Sequence, residues 1–112
     1  GGGGGSVALP TYPDIDLTLG DYTMAGEGIY EITNFNGGAP YSMIFPDPAL
    51  WEGCLIVIIN TLGDSIPLDS TNQPYYGFTT SNITYLGKGS LTQFISIRAS
   101  NESSVYRWYS NG

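Results

Sequence analysis

An all-β fold is what this sequence predicts, and three observations predict it. Cys54-Leu55-Ile56-Val57-Ile58-Ile59 is an unbroken apolar, mostly β-branched run bounded by Gly53 and Asn60; such a run is too short for a buried helix and has a strand-forming composition. Short alternating stretches separated by Gly, Pro and Asn recur along the chain, as they do where strands and turns follow one another. No segment of helical length repeats apolar residues at i, i+3 and i+4. The expectation is a small antiparallel β-sandwich or barrel-like domain of about seven to nine strands and no long helix.

The elements follow in order. Residues 1–14 begin with five glycines and continue through Pro10 and Pro13, reading as an extended arm or linker ahead of a single β-domain at residues 15–112. Ordered glycines lose much backbone entropy, so either a neighbouring chain or a crystal contact is expected to pack around them, or the run is an artificial linker. Ile15, Leu17 and Leu19 alternate with polar residues and predict a half-buried strand. Short strands follow at residues 21–25 and 28–33, then a turn containing Asn36-Gly37, then a strand at 41–45 stopped by Pro46-Asp47-Pro48. Residues 49–53 cross, in one helical turn, into the apolar strand. Residues 65–69 alternate, with Pro67 marking an edge; 70–77 read as a polar, aromatic loop; 78–86 and 91–99 read as long strands, and 105–109 as the last.

The apolar run has a further consequence. Side chains alternate across a strand, so six apolar residues in a row leave neither face for water. One face can fill a core; the other must meet a second sheet or another copy of the chain. The candidates for core or oligomer interface are Cys54, Ile56, Ile58 and Trp108.

Composition bounds the function. The chain has 112 residues, 41% of them hydrophobic, with mean hydropathy near zero, which fits one globular domain. No window holds the ~20 apolar residues of a membrane-spanning helix, and no signal-peptide pattern is present. The absence of a starting Met suggests a processed product or fragment. Ten acidic against three basic residues, a formal charge of −7, repel phosphate, so neither nucleic acid nor membrane insertion is expected. The absence of histidine removes the Ser-His-Asp and Cys-His nucleophile systems and the commonest transition-metal ligand. The single Cys54 reads as a small hydrophobe.

Read in sequence, these elements resemble a small β-domain found near the ends of trimeric fibre and spike proteins of tailed bacteriophages. The likeness covers roughly residues 20–110. It lies in Ile44-Phe45-Pro46-Asp47-Pro48, Trp51-Glu52-Gly53, Ile56-Val57-Ile58-Ile59-Asn60, Gly89-Ser90 with residues 91–97, and Arg107-Trp108-Tyr109. The resemblance implies a homotrimer that joins other virion proteins, projects from the particle surface and contacts a host surface glycan or receptor. It supplies no catalytic motif that maps onto numbered positions here, and this chain departs from it in residues 70–78 and in its many tyrosines.

Carboxylate pairs are the one catalytic constellation that the composition permits. Asp47 with Glu52, and Asp64 with Asp69, each also have plain turn roles, so no enzymatic activity is expected. Asp14-Ile15-Asp16 and Asp69-Ser70-Thr71-Asn72 are rich in oxygen but lack the spacing of a calcium loop, so no metal and no cofactor are expected. Asn82-Ile83-Thr84 and Asn101-Glu102-Ser103 match the glycosylation pattern, a short motif that recurs by chance. Aromatic faces stack on sugars while amides bond hydroxyls; Tyr75 and Tyr76, with Asn72 and Gln73, are the candidate ligand contacts. The alternative function is a monomeric carbohydrate-binding β-sandwich.

Overall fold

The computed structural model describes residues 8–99 and 104–111, and in them the chain is an all-β sandwich. Ten strands and one 3-10 turn are present: β1 (Thr11–Leu17), β2 (Tyr22–Thr23), β3 (Gly28–Phe35), β4 (Met43–Ile44), the 3-10 turn Pro48–Leu50, β5 (Leu55–Asn60), β6 (Ile66–Pro67), β7 (Tyr75–Tyr76), β8 (Tyr85–Leu86), β9 (Ser90–Arg98) and β10 (Tyr106–Ser110). Six of them form the main sheet, in the order β1-β3-β5-β9-β10-β7. The short pairs β2-β4 and β6-β8, joined through a Met43–Leu68 bridge, form a second layer.

The sheet is mixed, not antiparallel as the sequence suggested. β1 pairs with β3, and β3 with β5, in parallel; β5-β9 and β9-β10 are antiparallel. Parallel neighbours need a crossover, and here β2 and β4 are those crossovers, leaving the main sheet to lay short strands on one of its faces. The short pieces at residues 21–25 and 41–45 are therefore the covering layer.

The core lies between the layers. Tyr30, Ile32, Ile56, Ile58, Phe94 and Trp108 on the main sheet meet Met24, Met43, Phe45, Ile66 and Leu86. The apolar register continues across strands, with Ile58 opposite Tyr30 and Ile56 opposite Phe94. Phe45 packs edge-on against Phe94, ring centroids 4.9 Å apart.

Several expectations change. The main sheet begins at Thr11, so residues 11–14 belong to it and are not linker. Asp14 has φ 58°, and the register shifts between Tyr12 and Ile15. This bulge lets Tyr12 stack on Tyr30, at 4.6 Å between centroids, while Ile15, three residues on, is also buried. The strand stops at Leu17, and Leu19 is 88% exposed. Residues 78–86 contain only β8, and the loop before them contributes β7 to the main sheet. The sequence expectation for residues 1–7 falls outside the described residues.

The Pro46-Asp47-Pro48 stop is fastened to the main sheet by side chains. Trp108 Nε1 donates to Pro46 O at 2.9 Å and Ser96 Oγ to Pro48 O at 2.6 Å, while Asp47 Oδ1 caps the 3-10 turn by accepting from Ala49 N at 3.0 Å. Asn60 closes β5: Nδ2 donates to Asp64 O at 2.8 Å and Gly87 O at 3.0 Å, and Oδ1 accepts from Leu62 N at 3.0 Å. Gly26 is needed for contact, since a Cβ there would stand 2.3 Å from Trp51 Cζ2.

Candidate functional site

Two surfaces carry features that the fold itself does not require. The first is the outer face of the main sheet. Ile56 and Ile58 are fully buried; on the opposite face Val57 between them is also buried, but the flanking Leu55 and Ile59 are only half-buried. Opposite them, Ile95 and Leu91 stand 40% and 59% exposed. Across the β9–β10 pairing Ile95 lies beside Tyr109 and Ile97 beside Arg107; Phe78 leans on Tyr109 at 5.0 Å while remaining 70% exposed. Among the described residues the second layer sits against the inner face; the Gly77-Phe78 corner reaches over one end of the outer face. There Leu55, Phe78, Ile95, Ile97 and Tyr109 line an apolar hollow of about 340 Å³. Polar residues interrupt this face: Gln93 beside Val57, Arg107 beside Ile97 and Glu31 beside Ile59.

Of the residues expected at core or interface, Ile56, Ile58 and Trp108 fill the chain's own core, each 0% exposed. Cys54 lies just before β5, half-buried, its thiol pushed above the usual range by burial and then by the neighbouring Glu27. The side chains left for another molecule are Leu55 and Ile59 of β5 and the odd-numbered residues of β9, Val57 being 8% exposed.

The second surface is a cleft of about 490 Å³ between the 70–82 loop and β10. It forms because β7 pairs in parallel with the end of β10, Tyr75 beside Tyr109, which holds the loop against the last strand. Asn72, Gln73 and Tyr75, three of the four expected ligand contacts, line it together with Asn82, Tyr106 and Arg107. Tyr76 does not join them. Successive side chains on a strand point to opposite faces, and Tyr76 lines a separate hollow of about 310 Å³ with Tyr85 and Thr92.

The cleft's polar groups are oriented by the backbone. Asn72 Nδ2 donates to Phe45 O at 3.2 Å and Gln73 Nε2 to Leu68 O at 3.2 Å. Asn82 Nδ2 donates to the carbonyls of Gln73 at 3.4 Å and Pro74 at 3.5 Å. Tyr106 Oη donates to Glu52 Oε1 at 3.3 Å. Arg107 Cζ lies 4.7 Å from the centre of the Tyr75 ring, a cation–π distance. Tyr106 is among the aromatic residues that the sequence offers for a sugar, whereas Asn82 and Arg107 escape a sequence reading of the ligand contacts because strand pairing across the chain brings them to the cleft.

The acidic residues occupy local roles. Asp69 accepts from Thr71 N at 2.9 Å, and bonding to the Thr71 backbone and hydroxyl lowers its pKa. Asp16 accepts from the Thr18 hydroxyl and amide at 2.6 and 2.8 Å and is lowered likewise. Among the described residues no three His, Cys, Asp or Glu side chains gather as a metal-binding group.

Fold and surfaces together define a mixed-sheet β-sandwich that leaves one main-sheet face apolar and partly open. No protein-family model, curated protein or solved structure matches the chain.

Proposed function

We propose that this chain is a non-enzymatic structural and attachment domain of a viral, phage-type fibre, working as a homotrimer at the virion surface. One observation carries the reading: the outer face of the main sheet displays Leu91, Ile95 and Phe78, at 59%, 40% and 70% exposure, grouped with half-buried Leu55 and Ile59 around the polar Gln93. Exposed apolar surface that is contiguous and rimmed by polar groups marks interaction sites. Copies of one chain meeting through such a face in a closed ring would cover it and leave no open-ended contact. The reading also draws on the order of Phe45-Pro46-Asp47-Pro48, the apolar strand and Arg107-Trp108-Tyr109, the elements that resemble fibre ends. Other virion proteins and a host glycan or receptor are its expected partners; catalysis has no part in it.

Multi-angle light scattering tests it. A mass three times that of the 12.0 kDa chain is expected. A species at the single-chain mass at all accessible concentrations overturns the trimer and leaves the second reading, a monomeric carbohydrate-binding sandwich, which the polar cleft beside Tyr75 favours.

A further inference from the structure

We propose that the cleft between the 70–82 loop and β10 binds an uncharged sugar residue, recognised by the hydroxyl groups it donates. The inference rests on the attachment half of the reading above and gives it a location and a ligand class. A primary amide has a donor end and an acceptor end. At Asn72, Gln73 and Asn82 the donor ends are directed to the backbone carbonyls of Phe45, Leu68, Gln73 and Pro74. No hydrogen bond among the described residues occupies the three amide oxygens. The Tyr106 hydroxyl spends its proton on Glu52, which leaves its oxygen as a further acceptor. The cleft thus offers fixed acceptors beside the Arg107 guanidinium, and its ligand must bring donors for them along with oxygens that can face the cation.

Three ligand classes bring donors or positive charge, and the lining separates them. A hard cation would need anionic oxygens, yet no carboxylate lines the cleft and a guanidinium does. A peptide brings a carbonyl with every N–H, and three amide oxygens against one guanidinium would leave most of those carbonyls unpaired at a cost when buried. A sugar hydroxyl donates and accepts at one rotatable oxygen, so it can give its proton to an amide oxygen while keeping its lone pairs towards water. The ring of Tyr106 supplies apolar surface for the C–H face of a pyranose, the Tyr75 ring being covered by Arg107. The three amide oxygens and the chain's charge of −7 weigh against a carboxylate or sulfate, and the one cation in the lining, Arg107, is already seated on the Tyr75 ring, which sets uncharged sugars ahead of acidic ones. A volume of about 490 Å³ falls in the usual ligand range of about 300–1,000 Å³.

The test probes the intact chain on an array of neutral and acidic glycans, then titrates a retained neutral glycan while side-chain amide resonances are followed by NMR. Retention of neutral glycans with shifts at Asn72, Gln73 and Asn82 is expected. Asn72→Ala and Asn82→Ala should each weaken binding by about tenfold, equivalent to about 1.4 kcal/mol. The wild-type shifts stand even if a variant misfolds. Retention of no glycan by folded protein, of acidic glycans alone, or shifts confined to residues outside the cleft overturns the proposal. Mass measured on the same sample keeps the two readings apart: a 12.0 kDa species that still binds refutes the trimer alone, and an inert trimer refutes the sugar site alone.

Discussion

The two faces of the main sheet are built from the same strands and meet opposite fates. On the inner face Ile56, Ile58, Tyr30, Phe94 and Trp108 are fully buried under the second layer. On the outer face Leu55 and Ile59 are half-buried, and Ile95 and Leu91 lie open. The same apolar chemistry appears on both sides, so hydrophobicity alone does not say which side is the core. Topology decides it: both parallel crossovers pass over the inner face, and the chain has no equivalent layer for the outer one among the described residues.

The largest effect should come from cutting into the inner face. Trp108→Ala removes the largest buried side chain and the donor to Pro46 O, and is expected to cost about 3–5 kcal/mol in denaturant unfolding. Ile95→Ala, on the open side, should cost under about 1.5 kcal/mol in dilute monomeric protein. Equal costs at both positions would erase the distinction between the faces. Next comes Asn60→Ala, which strips partners from Asp64 O, Gly87 O and Leu62 N at a site 1% exposed. A loss of roughly 2–3 kcal/mol is expected, with the 60–64 and 87–90 turns loosening first in hydrogen exchange.

Alkali should also act from the inner side. Tyr30 is buried, and burial chiefly pushes its pKa to about 12 from the ordinary 10.0. A folded-state pKa above the unfolded one gives stability that is complete below pH 10.0 and is lost as pH rises towards about 12. Unfolding followed by tyrosinate absorbance should therefore set in within that interval, and Tyr30→Phe should reduce that part of the pH dependence. The smallest effect belongs to Thr33, opposite in direction from Tyr30 and Ile32 on β3, whose Oγ1 is buried without a hydrogen-bond partner. Thr33→Val should stabilise by about 1 kcal/mol; a loss instead would mean that a neighbouring copy supplies the missing partner.

Much of the fold was legible because its signals are local. The apolar run, the Pro46-Asp47-Pro48 stop and the alternation of residues 91–97 each declare a strand or its end. Strand direction was not legible, because parallel pairing depends on where β2 and β4 go, and their two-residue lengths give no period to read. The Tyr12–Ile15 bulge was hidden for a related reason: Pro13 looked like linker chemistry, while the register shift that puts residues 12 and 15 on one side appears only beside β3. For the cleft, Asn72, Gln73 and Tyr75 were visible as a polar, aromatic loop. Asn82, Tyr106 and Arg107 reach it through the β7–β10 pairing, which no local pattern announces.

The most direct measurement is the solution mass of the Leu91→Glu/Ile95→Glu variant beside that of the unaltered chain. Both positions are open on the outer face, so the inner core should survive and circular dichroism should be unchanged. The unaltered chain is expected to sediment as a trimer and the variant as a folded 12.0 kDa monomer. A variant that keeps the trimeric mass would show that the outer face is not where the copies meet.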